Sequence, residues 1–135
     1  MRGGISIGQL FIDDVMVWGE ALLKAYYLED KVANYSRIII DKKVVDEIVQ
    51  DSQLSGYVRK DFDNLYFLNF LYDCYFCGEM LMKGFDIMQK EVREDVDEKT
   101  YQKFCWYMNF VNSELDRKNE KKDRKYRLSI NPKYM

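Results

Sequence analysis

The chain opens on Arg2-Gly3-Gly4-Ile5-Ser6-Ile7-Gly8 and, after a short gap, runs through Val17-Trp18-Gly19-Glu20-Ala21-Leu22-Leu23. In each run an apolar stretch of strand character is bounded by glycine, which breaks a strand or admits another backbone close against it. Ile5 and Ile7 share one face, whereas Leu10 and Ile12 fall on the opposite parity, so a strand from Gly4 to Ile12 needs a bulge near Gly8. Asp13-Asp14 makes a turn, and Val15-Met16-Val17-Trp18 is β-branched and aromatic enough to return as the second strand of a hairpin. From Glu20 the period becomes helical. Ala21, Leu22, Ala25, Leu28, Val32 and Ala33 lie on one stripe, Glu20 stands four residues before Lys24, and the helix is expected to end near Asn34.

Ile38-Ile39-Ile40, between polar flanks, suits a buried central strand better than an edge. Asp41 is placed to cap a helix with Val44, Val45, Ile48 and Val49 inward, closed by Ser52 to Gly56. Leu65 to Leu71 is nearly continuous in apolar residues, and we read a strand near Leu65 to Leu68. Two helices follow, Gly78 to Glu94 with Met80, Leu81, Phe85, Ile87 and Met88 inward, and Asp97 to Asn119. In the second, Tyr101, Phe104, Cys105, Met108, Val111, Asn112 and Leu115 recur at helical steps, and both faces read as core.

At 135 residues the chain fits one compact domain able to bury a core. Its 33% charged fraction and 16% aromatic content are those of a soluble globular protein. No apolar run approaches the roughly 20 residues needed to cross a bilayer, and no signal-peptide core follows Met1, so the expected location is cytoplasmic, with no membrane partner. A net charge of −2 provides no electrostatic basis for nucleic-acid binding. Only the tail, residues 116–135, is locally basic; it reads as a solvated helix end after the folded residues 1–115.

The chain has three cysteines and no histidine, which excludes Ser-His and Cys-His catalysis and histidine-based metal sites. Cys74 and Cys77 have ligand spacing, but structural zinc wants four ligands and only Cys105 remains. Buried, reduced thiols are the reading. Asp61 and Asp63 could hold a hard cation if other oxygens converged, but Asn64 follows where more spaced ligands and a glycine would be needed, and a solvated turn suits the segment better. Gly3 and Gly4 would let backbone approach a phosphate while Arg2 adds charge, or they mark close packing beside a strand; both readings stand.

The run Arg2 to Gly8, the helix segment Ala21 to Glu29, Tyr35 to Ile39, the Asp61-Phe62-Asp63 segment, and Trp106 to Phe110 with Asn109 and Asn112 together resemble the C-terminal half of the class III nucleotidyl cyclase catalytic domain. They are most similar to bacterial cyclase-like proteins related to the antiphage pyrimidine cyclases. The resemblance implies an α+β fold: a partial ferredoxin-like cyclase fold, a mixed sheet with helices packed on it and a helical C-terminal part. It also implies a nucleotide-binding region at Arg2, Gly3, Gly4, Met16, Gly19, Leu23 and Tyr27.

Cyclisation needs the ribose 3′-hydroxyl to attack the α-phosphorus while pyrophosphate leaves. Two divalent cations held by carboxylates are the usual protein means. In the family two aspartates upstream of the resembling region hold Mg or Mn, so no catalytic residue, metal ligand or cofactor is assigned within this chain. The family's helix supplies an Asn and, four residues later, an Arg. Leu23 and Tyr27 stand at those positions and Met16 at one that often reads the base. Leucine cannot hydrogen-bond a ribose, and a tyrosine lacks the bidentate charge of a guanidinium. The expectation is a cyclase-like portion inactive alone, paired as homodimer or heterodimer with a cyclase-like chain and with a nucleoside triphosphate as its ligand. The alternative is a non-catalytic interaction module.

Overall fold

The computed structural model describes residues 2–72, 83, 86–87 and 97–118. The chain divides into two compact units, Met1–Tyr72 and Asp73–Met135. The architecture is α+β. In the first unit β1 (Gly3–Ile5), β4 (Ile38–Ile40), β5 (Val58–Lys60) and β6 (Tyr66–Leu68) form a mixed sheet ordered β1-β4-β6-β5. β2 (Phe11–Ile12) and β3 (Val17–Trp18) form a separate antiparallel ribbon.

β1 and β4 are parallel, which obliges a crossover. Helix α1 (Glu20–Tyr27) supplies it and runs on into a π-helical turn, Leu28–Val32. The register Gly4↔Ile39↔Phe67↔Arg59 sets these four residues on one face, because partners across a ladder point the same way. Gly4 turns that face to α1: a Cβ on it would stand 2.3 Å from the Ala25 carbonyl oxygen and 2.8 Å from Leu28 Cβ. Glycine is required there by contact between helix and strand. The π turn, closed by Ala33 N–H donating to the Leu28 carbonyl at 2.8 Å, adds one residue to the turn. Leu28 and Ala33 are both buried. Asn34 then ends the helix at φ 52°, a left-handed conformation that asparagine tolerates.

β4 is the central strand expected, with Ile39 and Ile40 buried between β1 and β6. α2 (Lys42–Ile48) follows. Its first N–H groups are met by the Asp41 backbone, whose carbonyl accepts from Val44 and Val45, and not by the Asp41 carboxylate. Val45 is buried, but Val49 is 51% exposed. A short 3₁₀ turn, Ser55–Tyr57, leads into β5. Gly56 lies against the Tyr72 ring, which leaves no room for a Cβ, and Tyr57 and Tyr72 meet edge to face at 5.1 Å.

Two further expectations are corrected. The strand read from Gly4 to Ile12 is two elements: the chain leaves the sheet after Ile5 and re-enters β structure at Phe11, in the ribbon. The change of parity at Gly8 marks that departure and not a bulge. Leu22, placed on the inward stripe of α1, is 43% exposed, because a helix lying over β1 at Ala25 and Leu28 turns Leu22 outward. In the second unit α3 (Glu98–Lys118) matches the helix expected from Asp97 to Asn119. Phe104, Trp106, Phe110, Val111 and Leu115 are buried, and the Trp106 and Phe110 rings stack at 5.5 Å. The helix read from Gly78 to Glu94, Cys74, Cys77, and the tail from residue 119 lie outside the described residues, apart from exposed helical residues at 83, 86 and 87.

Candidate functional site

The entry into α1 is built by backbone. Gly19 has φ 144°, a region that disfavours any L side chain, and a Cβ there would meet the Gln9 carbonyl oxygen at 2.5 Å. That carbonyl accepts from Ala21 N–H at 3.2 Å, and the Ser6 hydroxyl donates to the Ala21 carbonyl. The loop from Ser6 to Leu10 is thus tied to the first turn of α1, and one of the helix's initial N–H groups is already occupied.

The ribbon stands on this junction. Phe11 pairs with Trp18 and Ile12 with Val17; since successive side chains alternate, the two pairs occupy opposite faces. Phe11 and Trp18 stack at 5.4 Å. At the tip the Asp13 carboxylate accepts from the N–H groups of Val15 and Met16, both at 2.8 Å. These two bonds hold its pKa below the ordinary value. Between the ribbon and the start of α1 lies a cleft of about 530 Å³ lined by Gln9, Leu10, Phe11, Trp18, Gly19 and Glu20.

The residues singled out from the sequence fall in three places. Gly3 and Gly4 lie in β1, with Gly4 under α1 and Gly3 in ordinary contact with Ile38 at 3.5 Å; Arg2 reaches Glu29 at 3.7 Å. Gly19 anchors α1. Leu23 and Tyr27, one turn apart on the outer side of α1, are 70% and 52% exposed, and Met16 at the ribbon tip is 54% exposed. Lys24 Nζ lies 5.8 Å from the Tyr27 ring centroid.

Sequence reasoning missed Arg37. Its side chain is fully buried, and its Nε–H donates to the Ala33 carbonyl at 2.8 Å. Nη1 donates to Asp61 and, at 3.1 Å, to Asp63 Oδ1, while Nη2 donates to Asp63 Oδ2 at 2.5 Å. The Tyr35 ring covers the guanidinium, 5.0 Å from its centroid. The Asp61-x-Asp63 pair is therefore a clamp on arginine and not the solvated turn expected. It ties the end of the α1 crossover to the β5–β6 hairpin, whose turn is closed by Asp61 N–H on the Leu65 carbonyl at 2.8 Å. Hydrogen bonds from Arg37 hold the Asp63 carboxyl below the usual carboxylate range. The available signal was an arginine beside three isoleucines: a cation driven into a core needs carboxylates, and the chain carries two at alternate positions.

Among the described residues no group of three or more Cys, Asp or Glu is arranged to hold a metal ion, and no helix is long and apolar enough to cross a membrane. No protein-family model, curated protein or solved structure matches this chain.

Proposed function

We propose that this chain is the C-terminal portion of a class III nucleotide cyclase-like domain of partial ferredoxin-like fold, catalytically incomplete by itself. The observation that carries the reading is the outer face of α1. Leu23 and Tyr27 stand one turn apart and exposed on a helix that links two parallel strands, where the resembling family presents Asn and Arg to the nucleotide. On this reading the two positions carry a leucine and a phenol in place of the family's hydrogen-bonding groups. A leucine and a phenol cannot supply the bidentate charge that a triphosphate's developing negative charge requires. Arg2, next to Gly3 in sequence, lies 3.7 Å from the Glu29 carboxylate.

With the metal-binding carboxylates supplied by an upstream or partner half, the pair would cyclise a nucleoside triphosphate; a pyrimidine triphosphate is the substrate the resemblance suggests. A second reading, a non-catalytic interaction module, is favoured by the exposed apolar ribbon. The test is conversion of ATP, GTP, CTP and UTP by the purified chain with Mg²⁺ or Mn²⁺, beside thermal melting with the same mixtures. We expect no conversion. Turnover that survives further purification and is abolished by Arg2→Ala would overturn this. A melting temperature raised by metal and triphosphate together would favour the cyclase-derived nucleotide site over the pure interaction module.

A further inference from the structure

We propose that the cleft between the β2–β3 ribbon and the start of α1 binds a small organic cation carrying a guanidinium group. This goes beyond the nucleotide reading and does not depend on it. The cleft measures about 530 Å³, within the roughly 300–1,000 Å³ usual for small-molecule sites. Backbone fixes its base: Gly19 at φ 144° and the Gln9 carbonyl, bonded by Ala21 N–H, hold the foot of the ribbon against the helix. Leu10 and the stacked pair Phe11 and Trp18 supply apolar walls. Stacking on Phe11 occupies only one face of the Trp18 indole, and more than half of that residue stays in water.

The sign of the charge selects the ligand. Among the described residues that line the cleft, Glu20 is the one ionisable group, and no lysine or arginine stands there to hold a phosphate. Glu20 also has no ion pair among the described residues. Lys24, four residues on, lies 5.8 Å from the Tyr27 ring centroid instead. The aromatic wall acts in the same direction, because the face of an indole carries partial negative charge and attracts a cation.

The polar groups narrow the choice among cations. An ionised carboxylate accepts hydrogen bonds and donates none, so a quaternary ammonium would satisfy the rings and offer Glu20 nothing. A primary ammonium donates, but it is a compact and strongly hydrated charge that does not stack. A guanidinium does both: it is planar, weakly hydrated, lies flat on an aromatic face and forks onto a carboxylate through two parallel N–H groups. The Gln9 amide, on the same lining, offers a further acceptor. A neutral sugar could stack on Trp18 but would leave the Glu20 charge unmatched.

The indole N–H signals of the full chain in a proton–nitrogen correlation spectrum test this, with Trp18→Phe assigning them. Titration with n-butylguanidinium to tens of millimolar is expected to move the Trp18 signal saturably and to leave that of Trp106, 8% exposed, in place. The neutral isostere n-butylurea should bind about fivefold more weakly, and Glu20→Gln should weaken n-butylguanidinium by a similar factor, the upper scale of one exposed ion pair. Glu47→Gln, an exposed acid on α2 outside the cleft lining, should leave the affinity unchanged. No saturable shift, equal binding of n-butylurea, or a Glu20→Gln affinity equal to wild type overturns the proposal. Tighter binding of n-pentylammonium or of cellobiose overturns it too, and would assign the cleft to an ammonium or to a neutral sugar. Conversion of nucleoside triphosphates reports separately, so failure of one reading leaves the other standing.

Discussion

Arg37 is the residue on which the first unit turns. A fully buried guanidinium is tolerable only because its donors are matched by the Ala33 carbonyl and two carboxylates. Removing it strands two aspartates that are themselves largely buried. Arg37→Met is therefore expected to lower unfolding free energy by about 3–5 kcal/mol in urea titration, the loss on breaking a buried ion pair. The clamp also makes stability pH-dependent. Asp63 titrates lower in the folded chain than in the unfolded one. Its contribution is thus complete above the unfolded value of about 3.9 and disappears as pH falls through the folded value beneath it. Melting temperature against pH should show wild type well above Asp63→Asn near neutrality, with the two curves converging in acid; parallel curves would discount the clamp. Asp61-x-Asp63 was legible as a pair but not as a clamp, because the cation that uses it lies more than twenty residues away in sequence.

At the scale of elements, the strands and helices most legible in sequence were those whose pattern is local. The three isoleucines of β4 and the long period of α3 needed no distant partner to be read. The first turn of α3 is also written locally: Asp97 accepts from Thr100 N–H at 2.7 Å, a cap that satisfies one orphan donor. Asp97→Ala should shorten the helix by fraying that turn, seen as a small loss of helical dichroism with faster exchange of the Thr100 amide. β5 was missed because Val58-Arg59-Lys60 is short and charged, and becomes a strand only by pairing with β6. The seating of α1 on β1 was likewise open in sequence, since a glycine beside a strand serves a phosphate or a helix equally well. The distance from Gly4 to the Ala25 carbonyl explains it as packing. Gly4→Ala should cost about 1–3 kcal/mol, the usual penalty of overpacking, and Gly4→Val more; unchanged stability would show that α1 can lift from the sheet freely.

For the molecule as a whole, the two tryptophans report on different environments, Trp18 at 57% exposure and Trp106 at 8%. In Trp106→Phe the remaining emission comes from Trp18. That emission should lie to the red of the Trp106 emission recorded in Trp18→Phe, because water relaxes around the exposed indole and not around the buried one; coincident spectra would contradict the two environments. The sequence by itself determined the composition-level class, the absence of histidine chemistry, the central strand and the long C-terminal helix, because those follow from residue identity and short-range periodicity. Only the tertiary structure decided that the N-terminal apolar run splits between a sheet and a free-standing ribbon, that a buried arginine takes the two aspartates, and that the apolar side chains of the ribbon and outer α1 face water. Each of those depends on which distant segment arrives beside a residue, and periodicity carries no information about the neighbour across the fold.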